Sequence, residues 1–223
     1  MVGGPRVHPV GLCGKGSRRP GHGERDGVLS FVAASARRRD PDRAARLMAA
    51  LARVRDDARR GLDPSFERLA AWQAVVLGHG PVEFRTGPAR AKAGRERYGL
   101  DHRTQPRFRA CLAQSTDPSV PLPARVARAY LDVLFFHPFD DGNGRAAMLM
   151  LYFLLLRDSV VIDQAAPMLV VSRRADDRAG ALALARLAEV AINATRHRIS
   201  DRTTCSGERK GPPGLECGFE KLI

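Results

Sequence analysis

The sequence predicts an all-α fold, a compact helical bundle carrying one small β-hairpin. Three observations lead there. Apolar residues recur at helical spacing in several long stretches, and one of them, Ala146 to Leu156, is apolar nearly all round. Aspartate–proline pairs and glycines punctuate those stretches as helix starts and stops. Only one short segment, residues 81–99, has the alternating and then glycine-rich character of a hairpin or extended loop.

The elements follow in chain order. Residues 1–27 are rich in Gly, Arg and Pro without periodicity, and the whole of residues 1–39 is expected to be a disordered basic leader. Within it, Val28 to Ala36 has some features of a secretory apolar core followed by small residues. It is short, contains serines and follows a long Gly/Arg stretch, so that reading is set aside. Asp40-Pro41 opens a helix to about Arg60, with Leu47, Leu51 and Val54 as its apolar stripe and Gly61 as its stop. Asp63-Pro64 repeats the start signal for a helix to Leu77, with Trp72 as packing, and Gly78 to Gly80 break it. Val82 to Gly87 is the expected outgoing arm of the hairpin.

Arg107 to Ala113 reads as a short helix, Ser115 to Pro123 as a proline-rich loop and Leu122 to Phe136 as a long helix. A second long helix runs from Gly144 to Arg157 and should be the buried centre. Val160 to Ile162 passes equally for a strand or an apolar connection. Asp176 to Arg196 closes the bundle as an amphipathic helix. The domain boundaries expected are therefore 40–197 for the folded unit and 198–223 for a flexible tail.

Composition narrows the partners. The 223 residues suffice for one domain with a real core. The net charge is +13, carried mostly by arginine, and residues 1–39 hold eight basic residues against Glu24 and Asp26. Aromatic residues are few and do not interleave with the arginines, so the charge reads as solvated surface, and no nucleic-acid partner is expected. Cys13, Cys111, Cys205 and Cys217 form no Cys-x-x-Cys pair and show no zinc spacing, which fits a reducing cytoplasm. The longest apolar run is bounded by Arg145 and Arg157 and is too short to span a bilayer, so no membrane partner is expected.

The chemistry concentrates in His137-Pro138-Phe139-Asp140-Asp141-Gly142-Asn143-Gly144-Arg145, a polar bend between the two long helices. Pro138 ends the first helix and leaves His137 near its C-terminus, able to take a proton from a hydroxyl at neutral pH. Gly142 and Gly144 allow close backbone approach, and the next helix begins at about Asn143 to Arg145 with unpaired N–H groups that suit a phosphate. Arg145 adds a planar fork for phosphate oxygens. Asp141 is a hard oxygen ligand of the kind Mg²⁺ takes between phosphates. Phe139 should point inward as an anchor.

This segment resembles the signature of the Fic (Fido) family, His-x-Phe-x-Asp/Glu-Gly-Asn-Gly-Arg-x-x-Arg, at every position but the last, where Met148 stands. The resemblance spans roughly residues 60–195. It implies a protein adenylyltransferase: AMP passes from ATP to a Ser, Thr or Tyr hydroxyl of a target protein, with His137 as general base, Asp141 on Mg²⁺, and Gly142, Asn143, Gly144 and Arg145 cradling the phosphates. It also implies that the hairpin is a flap that pairs with an extended target segment, with Phe84, Arg85 and Thr86 over the target.

Two alternatives stand beside that implication. The first is a Doc-type phosphotransferase, although those relatives typically carry Lys where Gly144 stands. The second is a weakened binding module, because Met148 lacks the charge of the family's second arginine; one charge-assisted bond is worth about 1.5–3 kcal/mol. Arg173, Arg174 or Arg178 are candidates to replace that charge. The family's inhibitory helix reads Ser/Thr-x-x-x-Glu-Gly/Asn. Thr204 to Glu208 fails its final position at Arg209, so regulation by a separate partner is expected instead, if any.

Overall fold

A computed structural model describes residues 25–36, 40–171 and 177–207. In order these form α1 (Gly27–Ala36), α2 (Pro41–Arg59), α3 (Phe66–Leu77), β1 (Ala89–Ala91), β2 (Glu96–Tyr98), α4 (Thr104–Gln114), α5 (Leu122–Phe136), α6 (Asn143–Arg157), α7 (Ala166–Leu169) and α8 (Arg178–Gly207). The fold is the expected helical bundle with one two-stranded antiparallel hairpin.

α6 is the axis of the bundle. Every residue from Ala146 to Leu155 is buried, as an element apolar all round requires. α5, α2 and α3 pack around it, and α8 lies on α5. Helix starts follow the sequence closely. Asp40 accepts from the Arg43 N–H at 2.9 Å, and Ser65 accepts from the Arg68 N–H at 3.2 Å. The α3 cap is thus Ser65, the residue immediately after the aspartate–proline pair. Gly78 ends α3 in the left-handed conformation, φ +76°.

Three expectations change and one open alternative is settled. The basic leader is not structureless throughout: residues 27–36 form α1, with Val28 and Val32 in the core. Asp26 makes this possible. One carboxylate oxygen accepts from the Val28 and Leu29 N–H groups, and the other accepts from the Tyr152 hydroxyl of α6 at 2.6 Å. Residues 1–24 lie outside the described residues. The hairpin lies at Ala89–Tyr98, not at Val82–Gly87, and turns through Lys92, Ala93 and Gly94, all with positive φ. Val160 to Ile162 is a connection: Ile162 accepts from the Gly27 N–H at 2.7 Å. The closing helix runs past Arg196 to Gly207, and Arg198 grips Asp163 with Nε at 2.5 Å and Nη2 at 2.6 Å. The tail beyond Gly207 lies outside the described residues, as does the end of the Thr204–Glu208 segment.

Candidate active site

The bend between α5 and α6 is built by side chains that the protein uses up internally. Phe139 is buried and stacks on Phe66 with ring centroids 5.8 Å apart, beside Phe84 and Phe108. Asn143, also buried, closes the bend on itself. Its Oδ1 accepts from the Phe139 N–H at 3.0 Å and its Nδ2 donates to the Phe139 carbonyl at 2.7 Å. The Asn143 side chain therefore shapes the loop and is not free to bind a phosphate. Gln73 of α3, fully buried, fixes the other limb by donating to the Asp141 carbonyl at 2.7 Å.

With the loop so held, the N-terminus of α6 is open. Gly142 takes φ +80° and offers no side-chain cap. Its carbonyl accepts from the Arg145 and Ala146 N–H groups. The N–H groups of Gly142, Asn143 and Gly144 have no partner among the described residues. Gly144 is exposed, and a Cβ there would meet nothing within 4 Å. The front of the helix is therefore free for an anion. Arg145 and Asp141 pair across it, Nη2 to Oδ2 at 3.0 Å, with the Asp141 side chain 72% exposed. Burial lowers the Arg145 pKa, and the nearby positive charge of Arg43 and then Arg46 acts in the same direction, opposed by Asp141.

His137 ends α5 in the left-handed region, φ +45° and ψ +62°. Its Nδ1 lies 2.6 Å from the Leu134 carbonyl, which can only accept. Nδ1 therefore carries the proton and Nε2 holds the lone pair. The residue is 9% exposed, and its ring lies flat against Tyr98 of the hairpin, centroids 3.6 Å apart and planes at 15°. Burial depresses the imidazole pKa; the Leu134 bond and Glu96 oppose this, and the charge of Arg85 adds to it. The ring is neutral at pH 7, in the protonation state of a base.

Arg85 is the residue whose role sequence reasoning misplaced. It is 3% exposed. Its guanidinium donates to the carbonyls of His137 (2.6 Å), Gly99 (2.6 Å) and Phe136 (3.3 Å), and to that of Gly87. Its own N–H donates to Pro138 at 2.9 Å. Phe84 sits in the aromatic core. Neither lies over a target segment, because both are spent on holding the chain against the end of α5; only Thr86 of the three is exposed. The hairpin itself lies beside His137 through Tyr98 and exposes Arg90 and Arg97.

Met148 is 6% exposed and part of the core, so no charge reaches the site from that position. Arg173 and Arg174 lie outside the described residues, and Arg178 is exposed at the start of α8. Among the described residues no three His, Cys, Asp or Glu side chains converge to hold a metal, and no helix is long and apolar enough to cross a membrane.

Residues 63–155 match the model of the Fic/DOC family. The fold is similar to that of a Fic domain containing signaling protein from Bacteroides thetaiotaomicron VPI-5482, with a TM-score of 0.53 and 17% identity over 78% of this chain and 75% of that one. It is similar to a Fic family protein from Desulfovibrio desulfuricans G20, with a TM-score of 0.53 and 18% identity over 78% of this chain and 59% of that one. This chain thus spans under two thirds of the second protein's length. A search of the curated proteins finds no match.

Proposed function

We propose that this chain, which carries a Fic (Fido) domain over residues 63–155, is a protein adenylyltransferase that moves AMP from ATP to a Ser, Thr or Tyr hydroxyl of a target protein. The observation that carries the proposal is the pairing of a neutral imidazole, its Nε2 lone pair unspent, with a helix N-terminus whose amides are unpartnered.

The hydroxyl oxygen attacks the α-phosphorus, the bond from that phosphorus to the bridging oxygen of the leaving pyrophosphate breaks, and the hydroxyl proton passes to His137 Nε2. The amides of Gly142, Asn143 and Gly144 and the guanidinium of Arg145 face the charge on the phosphate oxygens. Leu134 and Arg85 hold the imidazole and its backbone in place. The donor set fits Mg²⁺, which binds proteins through one or two carboxylates and takes its remaining ligands from phosphates and water. Asp141 is the carboxylate that would hold it, on release from Arg145. Mg²⁺ would supply charge neutralisation on the phosphates.

The test is incubation with ATP labelled at the α- or the γ-phosphate, with Mg²⁺, in host lysate, beside His137→Ala. Transfer of the α-label, with an AMP-sized gain in target mass, supports the proposal. A γ-label with a phosphate-sized gain replaces it by phosphotransfer. Binding of ATP without transfer of either label leaves a binding module.

A further inference from the structure

The imidazole of His137 rests on a residue from outside the signature. Tyr98, the last residue of β2, lies on it with centroids 3.6 Å apart and planes at 15°. Strand geometry explains how it arrives there. Tyr98 and Ala89 are directly opposite in the ladder, so their side chains share one face of the hairpin, and Ala89 is buried. Arg97, one residue back, projects from the other face and is exposed. Two sets of bonds then hold the stack. At its tip, the Tyr98 hydroxyl donates to Glu96 Oε2 at 2.9 Å, and Glu96 Oε1 accepts from Lys92 Nζ at 2.7 Å. At its base, Arg85 joins the two backbones. Its Nε donates to the His137 carbonyl and its Nη2 to the carbonyl of Gly99, the neighbour of Tyr98, each at 2.6 Å. The rings touch directly, and the chains that carry them are tied by one guanidinium.

The Leu134 bond does not orient the imidazole alone. A single hydrogen bond at Nδ1 fixes that atom and the tautomer, but the ring plane can still turn about it. The stack on Tyr98 fixes the plane. One constraint at an atom and one at a face together determine where Nε2 points. That direction matters for a base, because a proton is taken only across a hydrogen bond of about 2.6–3.2 Å. A misplacement of roughly 1 Å can cost about a hundredfold in rate. The aromatic face has a second consequence. Once Nε2 takes a proton the imidazole is a cation, and an aromatic face favours a cation lying on it.

We infer that Tyr98 is a positioning residue for the proton transfer: its ring, held by Glu96 at the tip and by Arg85 at the backbone, fixes the plane of His137 and so aims Nε2. The inference rests on the transfer reading above. It adds to that reading a residue of the hairpin, outside the loop between α5 and α6, on which the rate of the chemical step depends.

The test is transfer of the α-label from ATP, with Mg²⁺, to host-lysate protein, at a fixed amount of lysate and a range of ATP concentrations. Wild type, Tyr98→Leu, Tyr98→Phe and Glu96→Ala are compared as full chains, with circular dichroism to establish that each folds. Tyr98→Phe keeps the stacked ring and gives up the Glu96 bond, whereas Tyr98→Leu keeps an apolar side chain and gives up the ring. Tyr98→Leu should lower the rate at saturating ATP about tenfold to a hundredfold, while the ATP concentration giving half that rate stays within about twofold. Tyr98→Phe should recover most of the loss. The ring is followed separately through the Cε1–H NMR signal of His137, assigned by its disappearance in His137→Ala. The Tyr98 ring current should hold that signal upfield in wild type and in Tyr98→Phe, and Tyr98→Leu should release it downfield. A folded Tyr98→Leu with a downfield signal and the wild-type rate overturns the inference and leaves the transfer reading standing. A faster Tyr98→Leu also overturns it, because the ring would then be a cover on the base. So does Tyr98→Phe as slow as Tyr98→Leu, or a weakening for ATP that matches the loss of rate. Where Tyr98→Leu does not fold, Glu96→Ala, which frees the tip of Tyr98, takes its place: a downfield His137 signal with an unchanged rate overturns the inference. If wild type transfers no label, the transfer reading falls and the inference with it.

Discussion

Replacing Arg85 by alanine should be among the most costly single changes in the domain. The guanidinium donates to four carbonyls, of which Phe136 and His137 belong to the end of α5 and have no helical N–H to satisfy them. A hydrogen bond to a charged group contributes about 1.5–3 kcal/mol. Four such bonds do not add, since one cation serves all and water can enter the gap. About 3–5 kcal/mol is the expected loss, the range for breaking a buried charged network from one side. That is a large share of the roughly 5–15 kcal/mol of a typical domain. At about 2–4 °C per kcal/mol for a chain this size, the unfolding midpoint should fall by roughly 10 °C. Thermal and urea unfolding followed by circular dichroism measure both. Arg85→Lys should recover less than half, because an ammonium cannot fork to four acceptors. An Arg85→Ala midpoint within about 2 °C of wild type would refute the reasoning and reopen the target-docking role that the resemblance implied.

The other expectations are briefer. For His137, burial disfavours the charged form, so the folded pKa lies below the usual 6.5; activity should rise with pH through a midpoint under that value, read from kcat/KM against pH, and His137→Ala should lose the rise with the activity. Asp132 behaves in the opposite sense. Burial raises its carboxyl pKa to about 6, and Arg128 Nε, 3.6 Å from Oδ2, is too far for a hydrogen bond. The folded chain holds that proton more tightly than the unfolded one, so this group stabilises as pH falls from about 6 towards 4, and Asp132→Asn should gain about 2 kcal/mol at pH 7 and flatten that interval in urea titrations. Gly142→Ala should cost about 2–3 kcal/mol, from a positive φ and a clash with Gln73, whereas Gly144→Ala should unfold like wild type yet weaken nucleotide binding, since its Cβ would occupy the open front of α6.

α2, α3, α5 and α6 were legible because each is long enough for the 3.6-residue period to repeat, and because Asp40-Pro41 and Gly78 mark ends in ways backbone chemistry enforces. α1 was not. Its ten residues follow a basic, glycine-rich stretch, and nothing local says that Val28 will be buried; that depends on Tyr152, 126 positions away, reaching Asp26. The hairpin was displaced because Val82 to Gly87 alternates like a strand, while its two central residues, Phe84 and Arg85, are adjacent and both buried, which no period-two pattern predicts. In the site, residue types gave the loop but not the division of labour. The Asn143 side chain is a clip, which leaves only its amide for a ligand; Gln73 looked like nothing and holds the loop.

The conformation of His137 bears on why a histidine is there at all. A helix that ends in the left-handed region is normally closed by glycine, and a side chain with a Cβ pays about 1 kcal/mol or more to sit there. The chain holds His137 in place from every side: its N–H donates to Val133 at 3.1 Å, its carbonyl accepts from Arg85, its Nδ1 donates to Leu134 and its ring lies on Tyr98. A residue chosen for the turn alone would need none of this. The constraints share one outcome, which is a ring of fixed tautomer with one face covered by Tyr98. In the transfer proposed above Nε2 receives the hydroxyl proton, and that role would account for the strain more economically than packing does, since a leucine or phenylalanine would fill the space under Tyr98 without the Leu134 bond.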